Sequence, residues 1–461
     1  MKLAIATFSG IRSNLSSVLR VLALFLSKSG AVIVGIIFLP LYHQLLGTEL
    51  FGIVAVILSL QAFAVMVDFG MSVLVARDAA QLDSAAFAKS TILRNAEFSV
   101  IAAYTPVLLL VVLTCIATGL SVSQSAVAIG CVGLLLLTVL QNLGQTTLLA
   151  RRNYFSASLV QVGGVTLRAA VTAAALKYCN SDLVTFITSQ LLVTILHFAI
   201  TRSCCSGHGM SEFIAEKYFL PTRSDIVNLL KRGGPLIISG LAGAAILQLD
   251  KPLLFAFVSP ADMSPYFLAM TASALPASLL AAPVVQYFQP QVIRVLDESS
   301  SADPGKIISQ FTFWLLLVVA IPSFILWQWA EPIMLLWLRV PEQAHLVAMY
   351  VKILMPAFAL GSLCFVPFVL LMAVQDFKYQ AVTSALLTIG ALCLIAASAT
   401  AKRIDLVCYA YLVYFTTASL SVWWRSLTLP ATKALARLSA TKTATSVLLL
   451  SFIAAVFAIR Y

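Results

Sequence analysis

The chain has 461 residues, of which 61% are hydrophobic and only 10% are charged, and its mean hydropathy is +0.99. A soluble domain usually has about 45–50% apolar and about 25% charged residues. This composition excludes a soluble globular enzyme and predicts a protein that lies in a membrane. The formal net charge of +11 needs no nucleic-acid partner if the basic residues follow a membrane topology.

Twelve apolar blocks are long enough to cross a hydrocarbon core of about 30 Å as helices of about 20 residues. In chain order, they cover 19–42, 50–75, 98–120, 125–149, 156–176, 183–201, 235–258, 264–288, 309–338, 345–374, 379–400 and 404–427. A shorter thirteenth block covers 444–459. The blocks lack the alternation of apolar and polar residues that a transmembrane barrel needs, so helices must satisfy the backbone in lipid. The sequence therefore predicts an all-α, polytopic transmembrane bundle with two lobes of six helices.

The basic residues predict the orientation of these helices. With a cytoplasmic N-terminus, 20 of the 29 Lys and Arg residues fall in cytoplasmic segments, five in outer segments and four inside the blocks. A cleaved signal peptide is not expected, because Ser9 and Arg12 interrupt the first apolar run. We therefore predict a multi-pass protein with its N-terminus in the cytoplasm.

The longest polar stretch divides the chain into two equal sets of helices, a pattern typical of a duplicated transporter with parallel repeats. The predicted parts are an N-terminal lobe at 1–201, a cytoplasmic linker at 202–234, a C-terminal lobe at 235–427, and a basic cytoplasmic segment with the thirteenth block at 428–461. Within the linker, residues 224–234 fit either an amphipathic surface helix or a plain tether.

No pattern in the sequence predicts a metal or a cofactor. Cys204, Cys205 and His208 lack the paired spacing of a zinc motif. The chain also lacks the GxxxxGK[ST] motif that cradles phosphates, so ATP is not expected to drive transport through a P-loop. Transport is then secondary or passive.

Six ionisable residues inside the blocks are the candidate site residues. A charge at mid-bilayer costs about 2.5–3.5 kcal/mol on the insertion scale, so each one needs a wet cavity or a partner. The candidate substrate-binding cations are Lys28, Arg168, Lys251 and Lys352, and the candidate lumenal acids, which would couple transport to an ion, are Asp68 and Asp250. The alternative for all six is an interhelical ion pair that fixes packing. Lys352 can also reach the outer interface, and His197 fits either a proton relay or a satisfied buried histidine.

Asp250 and Lys251 point about 100° apart on a continuous helix. We therefore expect that they do not neutralise each other, and that at least one faces the lumen. Lys28 and Arg168 outnumber the available acids, which favours an anionic solute or lipid headgroup. The oxygens of a pyrophosphate accept charge-assisted hydrogen bonds from lysine and bidentate ones from arginine.

Several short motifs, in order along almost the whole chain, resemble those of polysaccharide exporters of the O-antigen flippase (Wzx) type. In the first half these are LLGTELFG at 45–52, MVDFGM at 66–71 and ARDAA at 76–80. In the second half they are QLDK at 248–251, PYFLA at 265–269 and EPIMLLWL at 331–338. These exporters are part of the multidrug/oligosaccharidyl-lipid/polysaccharide exporter superfamily.

The resemblance implies a fold in which V-shaped six-helix lobes enclose a cavity lined largely by helices one, two, seven and eight. Lys28, Asp68, Asp250 and Lys251 would then line the cavity. It also implies that the chain carries an undecaprenyl-pyrophosphate-linked oligosaccharide, such as an O-antigen repeat unit, across the bacterial inner membrane. The expected partners are membrane lipids, a polysaccharide polymerase and a chain-length regulator. The thirteenth block departs from the twelve helices of the type member.

Three other functions stay open. A cation-coupled drug exporter would need several lumenal acids in the N-terminal lobe, where Asp68 stands alone. A murein lipid precursor flippase shares the fold and the headgroup chemistry. A polysaccharide polymerase or ligase would need a sizeable outer loop with reactive residues, but the predicted outer loops are short, and only His43 and His345 among the histidines lie near that face.

Overall fold

The computed structural model describes the backbone of residues 2–66, 71–72, 75, 92–151, 153–206, 241–296 and 303–460. Side chains are described within these ranges from residue 30 to residue 446, except residue 31. The chain forms two compact units. The first comprises Met1–Leu50 and Leu60–Gly233, and the second comprises Phe51–Ser59 and Gly234–Tyr461.

Five long helices are described in the N-terminal half: α1 (Lys2–Met66), α2 (Ile92–Thr118), α3 (Val122–Ala150), α4 (Tyr154–Tyr178) and α5 (Leu183–Ser206). Gly47 interrupts α1 with φ 75° and ψ 171°. Glycine adopts this left-handed region without the steric cost of a Cβ atom. The interruption falls between the first two predicted blocks, where the sequence predicts a turn.

The second unit continues through eleven further helices and one π-helical turn in the described residues. They are α6 (241–248), α7 (Asp250–Phe255), α8 (Pro260–Leu275), the π turn (Pro276–Ala281), α9 (Ala282–Leu296), α10 (Pro304–Gln328), α11 (Ala330–Leu338), α12 (Pro341–Leu363), α13 (Phe365–Ala373), α14 (Phe377–Thr400), α15 (Ile404–Thr428) and α16 (Pro430–Arg460). Helix α16 is continuous through both the basic segment and the thirteenth block.

Prolines explain three breaks in the helices of this unit. Helices α6, α10 and α12 end at residues 248, 328 and 363, each four residues before a proline. These prolines are Pro252, Pro332 and Pro367. A proline has no N–H to bond the carbonyl four residues earlier, and its ring clashes with that carbonyl. The ninth and tenth predicted blocks, expected as single helices, are therefore two helices each.

The membrane class predicted from the sequence is confirmed. Ten helical stretches of the described residues are long and apolar enough to cross a membrane, from Val32–Met66 to Ile404–Thr428. The first stretch contains parts of the first two predicted blocks. The seventh block, 235–258, is described only from residue 241, as the short helices α6 and α7.

Small residues bring α3 and α5 close together in the first unit. A Cβ atom added at Gly144 would lie 2.7 Å from Thr201 Cγ2, and one at Gly130 would lie 2.4 Å from Ile187 Cγ2. Both distances are shorter than carbon atoms tolerate, so larger residues would push the helices apart.

Candidate functional site

Arg168 is a cation of α4 in the first unit. It is the fifteenth of the 25 residues of α4, near the middle of a helix long enough to span a membrane. The side chain is partly buried, and its Nη1 atom is inaccessible to solvent and has no hydrogen-bond partner. Arg168 therefore has no carboxylate partner among the described residues, and its predicted role in substrate binding stays a prediction.

Polar side chains of α1 and α5 interact with Arg168 or with its neighbour on α4. Its guanidinium lies close enough to interact electrostatically with Tyr42 of α1 and His197 of α5. The Tyr42 hydroxyl donates to the carbonyl of Ala169 at 3.1 Å, so α1 is tied to α4 beside the arginine. A second bond joins α4 to α5, because the Ser189 hydroxyl donates to Thr172 Oγ1 at 3.2 Å. We call Tyr42, Gln141, Gln161, Arg168 and His197 the arginine cluster.

A glutamine holds the imidazole of this cluster. Gln141 Nε2 lies 3.1 Å from His197 Nε2 and donates to Gln161 Oε1 at 3.1 Å. An amide nitrogen only donates, so in this orientation His197 Nε2 is the acceptor. His197 is 3% exposed and packs against Gly164. The other ring nitrogen, Nδ1, is buried and has no hydrogen-bond partner among the described residues, so the proton relay and the buried structural histidine both stay open.

Asp250 and Lys251 pair with each other in the second unit. Lys251 Nζ lies 2.9 Å from Asp250 Oδ1, and the two residues are 4% and 0% exposed. The expectation that they do not neutralise each other is therefore wrong. The helix is broken at Leu249, and the lysine folds back so that Nζ also donates to the carbonyl of Leu247 at 2.6 Å. The 100° argument assumed a continuous helix and ignored the length of the lysine side chain.

Two tyrosines complete this buried group. The Tyr266 hydroxyl donates to Asp250 Oδ2 at 2.5 Å, and the Tyr411 hydroxyl donates to the carbonyl of Ile246 at 2.5 Å. Both tyrosines are fully buried. We call Asp250, Lys251, Tyr266 and Tyr411 the lysine cluster. The sequence analysis did not identify either tyrosine, although Tyr266 lies in the PYFLA motif.

Of the remaining predicted site residues, only Lys352 has a described side chain, and it lies outside both clusters. The Lys352 side chain is exposed on α12, and its backbone carbonyl accepts a hydrogen bond from Trp327 Nε1 at 3.1 Å. Lys28 lies on α1 at a position whose side chain is not described, and Asp68 lies outside the described residues. Their predicted roles stay predictions.

Ion pairs also tie the helices together at their predicted cytoplasmic ends. In the first unit, Arg202 Nε lies 3.0 Å from Glu97 Oε1, which joins α5 to α2. In the second unit, Arg425 Nε lies 2.7 Å from Asp376 Oδ2. The described residues include no group of three or more His, Cys, Asp or Glu side chains that could hold a metal. His208 lies outside the described residues, while Cys204 is exposed and Cys205 is buried.

The fold is that of known exporters. Over 91% of this chain and 96% of the other, it is similar to a MOP superfamily transporter from Pyrococcus furiosus Vc1, with a TM-score of 0.58 and 12% identity. It is also similar to a MATE transporter in its straight conformation, with a TM-score of 0.61 and 14% identity over 92% of this chain and 96% of that one. The similarity to the lipid II flippase MurJ in its inward closed conformation has a TM-score of 0.61 and 13% identity, over 95% of this chain and 93% of that one. The comparison with curated proteins finds no match.

Ten candidate spans and this shared fold define an integral membrane protein with the fold of the MOP (multidrug/oligosaccharidyl-lipid/polysaccharide) superfamily transporters. Residues 18–290, more than half of the chain, match the family described as polysaccharide biosynthesis protein. The chain belongs to this family. The resemblance to polysaccharide flippases that the short motifs carry is thereby confirmed.

Proposed function

We propose that this protein is a transporter, not an enzyme, and that it flips an undecaprenyl-pyrophosphate-linked oligosaccharide across the bacterial inner membrane. The cargo is an O-antigen unit or a similar polysaccharide repeat unit. The family supports a role in polysaccharide biosynthesis, and the exporter fold supports movement of a solute across the membrane. The N-terminus lies in the cytoplasm in this proposal.

The observation that carries the proposal is that Arg168 has no carboxylate partner among the described residues. A cation without an anionic partner is costly inside a membrane, and the protein keeps this partly buried one near the middle of a membrane helix. A pyrophosphate offers several anionic oxygens in the geometry that a guanidinium binds with two parallel hydrogen bonds. The bound headgroup would therefore supply the counter-charge that the described residues do not supply.

Transport follows by alternating access in this account. The headgroup enters from the cytoplasmic leaflet, while the lipid tail stays in the bilayer. Positive charge in the lumen attracts the pyrophosphate, and a conformational change of the protein then opens the lumen to the outer side. Lys28 and Lys352 are the further cations that we propose for the headgroup. A polysaccharide polymerase and a chain-length regulator would act on the delivered unit.

The same experiments test two other kinds of transporter. A cation-coupled drug exporter would bind positively charged solutes, which the charge of Arg168 repels. A flippase for the murein lipid precursor would bind the same pyrophosphate, and the structural similarity to the lipid II flippase MurJ favours it as the second candidate. The two lipid-linked cargoes differ in their sugars, so genetic complementation separates them.

The direct cellular test is expression in a bacterium that lacks its own polysaccharide flippase. We expect the chain to restore surface polysaccharide and Arg168→Gln to reduce it at least tenfold, with unchanged amounts of protein in the membrane. Lys177→Gln is the matched control, because Lys177 is an exposed cation at the end of the same helix, 5.3 Å from the Tyr178 ring centroid. This control should keep full export.

Three results would argue against the proposal. If Arg168→Gln protein fails to accumulate, Arg168 serves packing. If the wild-type chain rescues only a strain that lacks its murein precursor flippase, the second candidate is correct. If it rescues neither strain and confers resistance to cationic drugs, it is a drug exporter.

A further inference from the structure

The carboxylate of Asp250 lies among oxygen atoms at the break between α6 and α7. The backbone carbonyls of Ile246 and Leu247 are there, and the hydroxyl of Tyr266 bonds Oδ2. The break brings the carbonyls and the carboxylate together, because Pro252 ends α6 at residue 248.

A set of one carboxylate, backbone carbonyls and hydroxyl oxygens is the set that hard cations such as Na⁺ prefer. Broken membrane helices often provide such carbonyls to Na⁺. Here a positive charge already occupies the position. The Lys251 ammonium contacts both the carboxylate, at 2.9 Å, and the Leu247 carbonyl, at 2.6 Å.

We propose that Lys251 is a tethered cation that occupies a latent site for a monovalent metal ion in the second unit. The ammonium supplies the positive charge that Na⁺ would otherwise bring, and the covalent link prevents its exchange. Asp250 therefore binds no transported ion in the wild-type protein. This inference goes beyond the proposed function, because it concerns the binding of an ion at Asp250 and holds whichever solute the protein carries.

The buried carboxylate of Asp250 depends on a cation beside it. The Lys251 ammonium is the one partner of Asp250 Oδ1 among the described residues. Removal of Lys251 would leave a fully buried carboxylate with one bare oxygen, in a space that the end of the lysine side chain had filled. Such a carboxylate must bind a cation or a proton, or the local structure must change.

The test measures the unfolding temperature of purified protein in detergent, in NaCl or in choline chloride at the same ionic strength. Na⁺ should leave the wild-type value unchanged. Na⁺ should raise the unfolding temperature of Lys251→Met by about 4 °C once the Na⁺ concentration is a hundredfold above the Kd of the site. The double variant Asp250→Asn with Lys251→Met should lose this response, because it lacks the carboxylate. Lys251→Ala is a second single variant with more space for the ion, and we expect the same response.

Two outcomes would overturn the inference. One is a wild-type unfolding temperature that rises with Na⁺ and falls back in Asp250→Asn, because an exchangeable ion would then already bind beside the lysine. The other is that neither Lys251→Met nor Lys251→Ala is stabilised by Na⁺. Failure of both to accumulate in cells counts as this second outcome, because cells supply monovalent cations that should fill the site.

Discussion

Gly164 of α4 lies directly against the imidazole of His197 on α5. A Cβ atom added at Gly164 would come within 2.4 Å of the ring atoms Cγ, Cδ2 and Cε1. A glycine at this position therefore lets the two helices approach while the histidine stays beside Gln141 and Arg168. The contact connects the packing of the first unit to the geometry of the arginine cluster.

The first prediction concerns this contact. Gly164→Ala should destabilise the protein by about 1–3 kcal/mol, because the added methyl group overpacks the imidazole. Gly163→Ala is the matched control: a Cβ atom there would meet nothing within 4 Å, and alanine favours the helix by about 0.5–1 kcal/mol. Thermal unfolding in detergent measures both. Equal unfolding temperatures for the two variants would contradict the close contact.

The second prediction concerns the buried pair of the lysine cluster. Asp250→Asn should cost about 3–5 kcal/mol, because it leaves the Lys251 ammonium buried without its counter-charge. Addition of Lys251→Met should recover most of this loss, since no buried charge is then unpaired. A double-mutant cycle of unfolding free energies measures the coupling. If the two losses simply add, the residues do not act as a pair.

The third prediction concerns topology. Reporter domains fused after Arg152, Lys231 or Lys378 should lie in the cytoplasm, and those fused after Thr48 or Ser259 should lie outside. The physical reason is the excess of basic residues in the first set of segments. Cysteine accessibility to an impermeant reagent at the same positions gives an independent measurement. A cytoplasmic result at both Thr48 and Ser259 would reverse the orientation.

Hydropathy predicted where the long membrane helices lie in the sequence, because a membrane span needs a minimum length and an apolar composition. The predicted block 404–427 corresponds to helix Ile404–Thr428, and 379–400 corresponds to Phe377–Thr400. The breaks at Leu249, Trp329 and Cys364 were missed, although each has a proline three residues later. Apolar composition continues through such a break, so hydropathy does not detect it.

The site was harder to predict than the fold. An ionisable residue in an apolar block marks a candidate, which is how Arg168 and Asp250 were identified. Sequence alone does not show which helices bring partners to it. The pairing of Asp250 with Tyr266 and the contact of His197 with Gln141 depend on helix packing. Lys251 was misjudged because a local break changed the directions that an ideal helix gives.

The most direct test of the account is flipping by the purified protein in proteoliposomes. The substrate is an undecaprenyl-pyrophosphate-linked oligosaccharide, and its exposure to an enzyme outside the vesicles reports transport. We expect wild-type protein and Lys177→Gln to move the lipid at equal rates and Arg168→Gln to be at least tenfold slower. An Arg168→Gln rate equal to that of the wild type, or the absence of flipping by the wild type, would contradict the central claim that Arg168 binds the pyrophosphate headgroup.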